Sequence, residues 1–261
     1  MSLVRIAERI CAVEALKGRT LVEGNVLDSP NGALDVQADG SMRTDAEKPF
    51  IAIYTDRGQA EGVMHRGLYE NGLCDIVFEI GISTPMVETD QKTGASVIVG
   101  IGIPASDQGF EFFLDIVQRQ IIDVLNDPDN EWSEIYRGLH SQVLKTEYVG
   151  ARNTDDGQRL AGHQLRKTVR LVDDPYGAEL TPGAPFTRFL EKIEASADPV
   201  YVSQAAAMRA LFGGDSEPLS VVRRGLGFTQ SEVEALGLSG WGGSDGQPFE
   251  TASVVVEGMD R

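Results

Sequence analysis

The sequence predicts an α/β or α+β protein with a mainly helical C-terminal extension, and three observations carry that prediction. Two stretches, one before residue 18 and one at Asp107–Asn126, repeat apolar residues every three or four positions, the spacing of a helix with one buried stripe. Between and after them lie β-branched and aromatic runs separated by turn-forming residues, which is how strands and hairpins read. Strand character then fades after Asp173-Asp174-Pro175-Tyr176-Gly177, which divides the chain into an α/β part, 1–178, and an extension, 179–261. With 261 residues, 41% of them apolar and 24% charged, the chain is long enough to bury a core and too ordinary in composition for a disordered or fibrous protein.

In order along the chain, Ile6, Ile10, Val13 and Ala12/Leu16 form the first helical stripe, with Arg and Glu on the other face and Lys17-Gly18 as the stop. Residues 24–48 are rich in turn chemistry and read as a long loop bearing at most short strands. Phe50–Thr55 suits a buried strand that Asp56-Arg57-Gly58 ends, and Asp75–Ser83 alternates Ile76, Phe78, Ile80 and Ile82 against a wet face. Asp90–Gly94 makes a hairpin the natural link to a strand over Ala95–Ile103. Asp107 is expected to cap the next helix, whose stripe is Phe110, Phe113/Leu114, Val117, Ile121 and Leu125. A short helix over Trp132–Leu139 leads into a second hairpin, Val143–Gly150 with Leu160–Val172, turned at Asp155-Asp156-Gly157. The extension offers helical pieces at Phe186–Ala195, Val202–Phe212 and Ser231–Leu236, the last opened by a Thr229/Glu232 capping box, then a glycine-rich loop over Gly237–Gln247 and a final short strand over Ala252–Glu257.

Charge and motif content narrow the function classes. A net charge of −17, with acidic residues in excess both before and after residue 178, repels phosphate backbones and anionic membranes. The two cysteines, Cys11 and Cys74, supply neither a disulfide framework nor a CxxC motif and read as core thiols of a protein made in a reducing compartment. The N-terminus carries charges where a signal peptide needs an apolar core, and no apolar run reaches the roughly 18 residues of a spanning helix. Gly100-Ile101-Gly102 with Ala105 imitates a dinucleotide-binding turn but sits inside a strand-like alternation, with Pro104 where the helix should start. His65, His140 and His163 are far apart in sequence, and Asp127, Asp129, Asn130, Glu131 and Glu134 read as a solvated helix end; no metal site, cofactor or catalytic residue is expected. Arg152–Arg159 reads as a charged hairpin tip, solvated or in contact with a neighbouring subunit.

The blocks RIAERICAVEALKGRT, VLDSP, KPFIAIYTD, CDIVFEIGI, LDIVQRQIIDVL, EWSEIYRGL and DDGQRLAGHQLRKTVRLVDDP, taken in that order over about residues 3–176, resemble phage tail terminator (tail completion) proteins. The stretch around residues 83–96 and the residues after 176 depart from that pattern. The resemblance implies a mixed or largely antiparallel sheet packed against helices, in a virion subunit that assembles in the host cytoplasm. It further implies a homo-oligomeric, hexameric ring that caps the head-proximal end of the tail tube, stops its polymerisation and joins it to the head connector. Genomic DNA would only pass through the bore. On this basis the inter-subunit or tail-tube contacts are expected at Asp56 and Arg57 and at Arg152, Asp155, Asp156 and Arg159. Other functions compatible with the residues are another neck or head-completion component, a nucleotide-using small-molecule enzyme built on Gly100 and Gly102, and an adaptor with a helical tail.

Overall fold

The structure, a computed structural model, describes residues 2–30, 48–61, 66–83, 87–98, 103–153, 160–177, 180–212 and 218–237. The elements run α1 (Leu3–Leu16), β1 (Val26–Asp28), β2 (Phe50–Gln59), β3 (Leu73–Ser83), β4 (Val87–Thr89), β5 (Ser96–Ile98), α2 (Asp107–Asn126), α3 (Glu131–Gly138), β6 (His140–Asn153) and β7 (Leu160–Leu171), followed by α4 (Pro185–Glu194), α5 (Pro199–Arg209), α6 (Pro218–Leu226) and α7 (Gln230–Ala235). The sheet is mixed, ordered β1-β2-β3-β7-β6; β1 lies parallel to β2 and the other pairs are antiparallel. This is the α+β class that the sequence predicts, with a helical C-terminal region.

Cross-strand register sets which side chains share a face, because directly opposed residues point the same way. Ile51, Ile80 and His163 form one row and Ile53, Phe78 and Leu165 the next. With the exception of His163 these are fully buried and belong to one apolar core shared with α1, α2, α3 and α4. On the opposite face, Thr168 donates to Asp75 at 2.6 Å and Gln164 to Glu79 at 3.1 Å. The wet face expected of β3 is therefore present, but Val77 within it is buried, flanked in register by Tyr54 and Arg166.

The α2 stripe is as the period predicts: Phe110, Phe113, Leu114, Val117, Ile121 and Leu125 are all buried. Its cap is not. Ser106, rather than Asp107, is the N-cap, with its hydroxyl accepting from the Gly109 amide at 3.1 Å, and Asp107 falls in the first turn, where its charge suits the helix dipole. Gly109 is needed here because a Cβ would lie 1.9 Å from the Pro104 carbonyl oxygen. The expected single strand over Ala95–Ile103 is also replaced. Ile98 donates to the Ile103 carbonyl and Ala105 to that of Ser96, and Val97 bridges Pro104 antiparallel, so the segments on either side of Gly100 and Gly102 pair with each other. Those two glycines lie outside the described residues.

Helix α1 departs furthest from expectation. In place of one buried stripe, Val4, Ala7, Glu8, Ile10, Cys11, Ala12, Val13, Ala15 and Leu16 are all buried, because sheet, α2, α3 and α4 pack around it. Its N-terminus is fixed by the Asp174 carboxylate, which accepts from the Ser2 hydroxyl at 2.6 Å and from the Leu3 and Val4 amides at 3.0 Å. Of the extension, α4 places Phe186, Phe189, Leu190 and Ile193 in the same core, and α7 has the predicted capping box. Helix α6 is additional to the predicted pieces, while residues 238–261, with nearly all of the glycine-rich loop and the final strand, lie outside the described residues.

Neighbouring phenylalanines on α2 test this packing. Phe113→Ala, at a fully buried position, is expected to cost about 3–5 kcal/mol in urea unfolding, whereas Phe112→Ala, 55% exposed, is expected to stay within about 0.5 kcal/mol of the parent.

Candidate interaction surface

The sheet has two edges of unlike character. β1 spans three residues, whereas β6 spans fourteen and, among the described residues, pairs along one side only, with β7. A long edge strand presents alternating unpaired N–H and C=O groups and is a template for another strand unless blocked. The start of β6 carries blocking features: register shifts between His140 and Gln142 and between Val143 and Lys145, then an exposed ion pair from Lys145 to Glu147 at 2.7 Å. From Thr146 to Asn153 the register is unbroken.

Apolar side chains on this edge face water on both sides of the sheet. Tyr148, opposite Leu165, stands on the helix side and is 58% exposed; Val149, opposite Gln164, stands on the other side and is 52% exposed. Val143 and Leu144, at the bulge, are also exposed. The sequence carries a readable sign of this, since Val143-Leu144 and Tyr148-Val149 break the polar–apolar alternation that a strand with one wet face requires.

The residues expected at interfaces are not gathered in one place. Asp56 and Arg57 do not follow the end of a strand; β2 continues to Gln59, and the two form the exposed irregularity between Thr55 and Gly58. Arg5 donates to the Thr55 carbonyl there at 2.9 Å and holds the irregular backbone, and Arg57 donates to Gln59 at 2.7 Å. Arg152 lies in β6 opposite Ala161, at the other end of the sheet and, by strand rise, about 20 Å along the strands. Asp155, Asp156 and Arg159 lie outside the described residues. The acidic cluster before and within α3 is engaged: Glu134 meets Arg188 at 2.9 Å, Glu131 pairs with Lys192, and Asn130 is buried, donating to the Ala15 carbonyl at 3.1 Å.

Two groupings of ionisable side chains are not visible in sequence spacing. The first is inside the core. Glu8 is fully buried, and its Oε1 lies 2.7 Å from His140 Nδ1, while its Oε2 has no hydrogen-bond partner. Tyr136 meets the His140 ring edge-on, with centroids 5.0 Å apart, and its buried hydroxyl is likewise unpaired. Burial raises the Glu8 carboxyl above its usual range, against the pull of His140 and Lys167, and depresses the nearby Lys167 ammonium. Burial also raises both thiols, Cys74 to about 11, so neither is a ready nucleophile. The second grouping, Glu111 and Asp115 of α2 with His163 of β7, brings three ligand-type atoms within 4.8 Å of one another.

A cavity of about 290 Å³ opens beside the α1 N-terminus, lined in part by Tyr69, Asp174, Tyr176, Phe212 and Arg224. Its acidic group is already committed, since Asp174 caps α1 and also accepts from Asn71 at 2.9 Å. No protein-family model matches the chain, and no curated protein matches it in sequence.

The buried pair makes a testable case. His140→Ala strands the Glu8 charge and is expected to cost about 3–5 kcal/mol in urea unfolding, while Glu8→Leu with His140→Phe costs distinctly less, because the fully buried carboxylate is removed together with its partner. A raised Glu8 carboxyl favours the fold fully below the ordinary value of 4.5 and loses that contribution as pH rises through the raised value. Stability measured across that interval is therefore expected to fall less in Glu8→Gln than in the parent.

Proposed function

We propose that the protein is a structural component of a phage neck, a tail-terminator-like subunit. Copies assemble into a closed, hexameric ring at the head-proximal end of the tail tube, stopping its growth and docking to the head connector. The observation that carries this reading is the β6 edge: fourteen residues paired, among the described residues, on one side only, apolar on both faces at Tyr148 and Val149, with register shifts and an exposed ion pair at its start. A second copy is the natural occupant, because adding a strand satisfies the edge backbone and covers the apolar side chains together.

The unlike edges favour a ring over a two-fold dimer. A ring needs a head-to-tail contact between two different surfaces, and the long β6 edge and the three-residue β1 edge of the neighbour are such a pair. Self-pairing of β6 would close at two copies. Exposed charge pairs contribute only about 0–1 kcal/mol each, so apolar contacts would hold the ring and charges such as Arg57 would set its register. The net charge of −17 suits a bore along which DNA slides without sticking.

Native mass spectrometry of the full chain and gold labelling of tailed particles from a lysate test the proposal. Closed rings in solution and a single label at the head–tail junction are the expected results. Val149→Lys is expected to shift the mass to monomer with an unchanged circular dichroism spectrum. A two-copy species, or rings that persist in Val149→Lys, would remove the edge-pairing arrangement, and particles without label would remove the virion assignment.

A further inference from the structure

We propose that Glu111, Asp115 and His163 form a binding site for one divalent transition-metal ion. The proposal is independent of ring assembly. Glu111 and Asp115 are one turn apart on α2, so both carboxylates leave the same face of the helix. His163 stands on the helix-facing side of β7, in register with Ile80 of β3 and Gly150 of β6. The three meet where α2 crosses the sheet next to its open edge: His163 Nε2 is 3.4 Å from Glu111 Oε1, and Nδ1 is 3.8 Å from Asp115 Oδ1.

The imidazole is the independent sign of a ligand. His163 is only 9% exposed, and its Nδ1 is buried without a hydrogen-bond partner, since 3.8 Å to Asp115 is too long for one. A buried polar atom without a partner costs free energy, and here it faces the Asp115 carboxylate, with Glu111 on the other ring nitrogen. A metal ion removes that cost by taking Nδ1 as a ligand beside the carboxylates. With bonds of about 2.0–2.2 Å, tetrahedral ligand atoms are about 3.3–3.6 Å apart, so three ligand atoms within 4.8 Å of one another need to close by only about an ångström around an ion. Asp115, with its side chain 64% exposed, borders solvent, from which water can supply a further ligand.

Donor chemistry selects the ion. One imidazole and two carboxylates are too few oxygens for Ca²⁺, which takes six to eight or so, while imidazole with carboxylate suits Zn²⁺ and its first-row neighbours. Sequence spacing misses the site because the histidine comes from a different element than the acidic pair.

Calorimetric titration of the full chain with ZnCl2, in excess Mg²⁺ to saturate diffuse binding to an acidic surface, tests the assignment. One Zn²⁺ per chain is expected, together with a rise in Tm. His163→Ala and Asp115→Asn should each weaken binding by more than about tenfold, the cost of losing one ligand set partner. Asp115 is exposed, so its variant keeps the fold and the test stands even if His163→Ala does not fold. Absence of Zn²⁺ binding in the parent, or binding that either variant retains at parental strength, would overturn the proposal.

Discussion

A carboxylate withdrawn from water must be hydrogen-bonded, paired or protonated, and in this protein that constraint falls on Glu8 in the middle of the most buried helix. Its partner, His140, is the first residue of β6, directly after α3. The contact therefore ties α1 to the junction from which the long edge strand leaves. Further polar anchors act along the same helix: Asp174 holds its N-terminus, Tyr201 of α5 donates to Glu14 at 2.7 Å, and Asn130 ahead of α3 bonds the Ala15 carbonyl. The apolar core supplies the driving force, but these few directional bonds select one placement of α1 among the helices around it.

Placing α1 there makes the sheet asymmetric. One face is covered by helices and carries the rows of Ile, Phe and Leu; the other is held by polar pairs such as Thr168 with Asp75. Beyond His140, the described helices cover little of β6: Ser141 to Lys145 are all exposed, as are Tyr148 and Val149 further along. An isolated monomer would carry this edge as an aggregation hazard. The same feature becomes an asset when the strand has a dedicated partner, as the proposed ring would give it. The cluster of Glu111, Asp115 and His163 stands beside this edge, with His163 in register with Gly150 of the edge strand, so polar groups join α2 to β7 there.

The ends of the elements show how local chemistry and tertiary demand divide the work. The Thr229/Glu232 box at α7 is read from four residues and is present as read. The cap of α2 moves by one residue, from Asp107 to Ser106, because either residue type can cap and the approach of Pro104 to Gly109 fixes where the first turn begins. The antiparallel pairing of Val97 with Pro104 replaces the expected continuous strand for a similar reason. Alternating apolar residues are satisfied equally by one long strand or by two short ones folded on each other.

By itself, the sequence determined the class of fold, the α2 stripe, the β6–β7 hairpin and the helical character of the extension, and it marked the Asp90–Gly94 turn, although the strand this turn pairs with Ser96–Ile98 is Val87–Thr89 and not β3. Each of these depends on spacing within one element or across one turn. Only the tertiary structure decided that Glu8 is buried, that Asp56 and Arg57 sit within a strand, that the edge strand is β6, and that His163 meets Glu111 and Asp115. The physical reason is common to all four. Periodicity states which residues share a face, but burial, edge exposure and side-chain convergence depend on which other element, distant in the chain, comes to lie against that face.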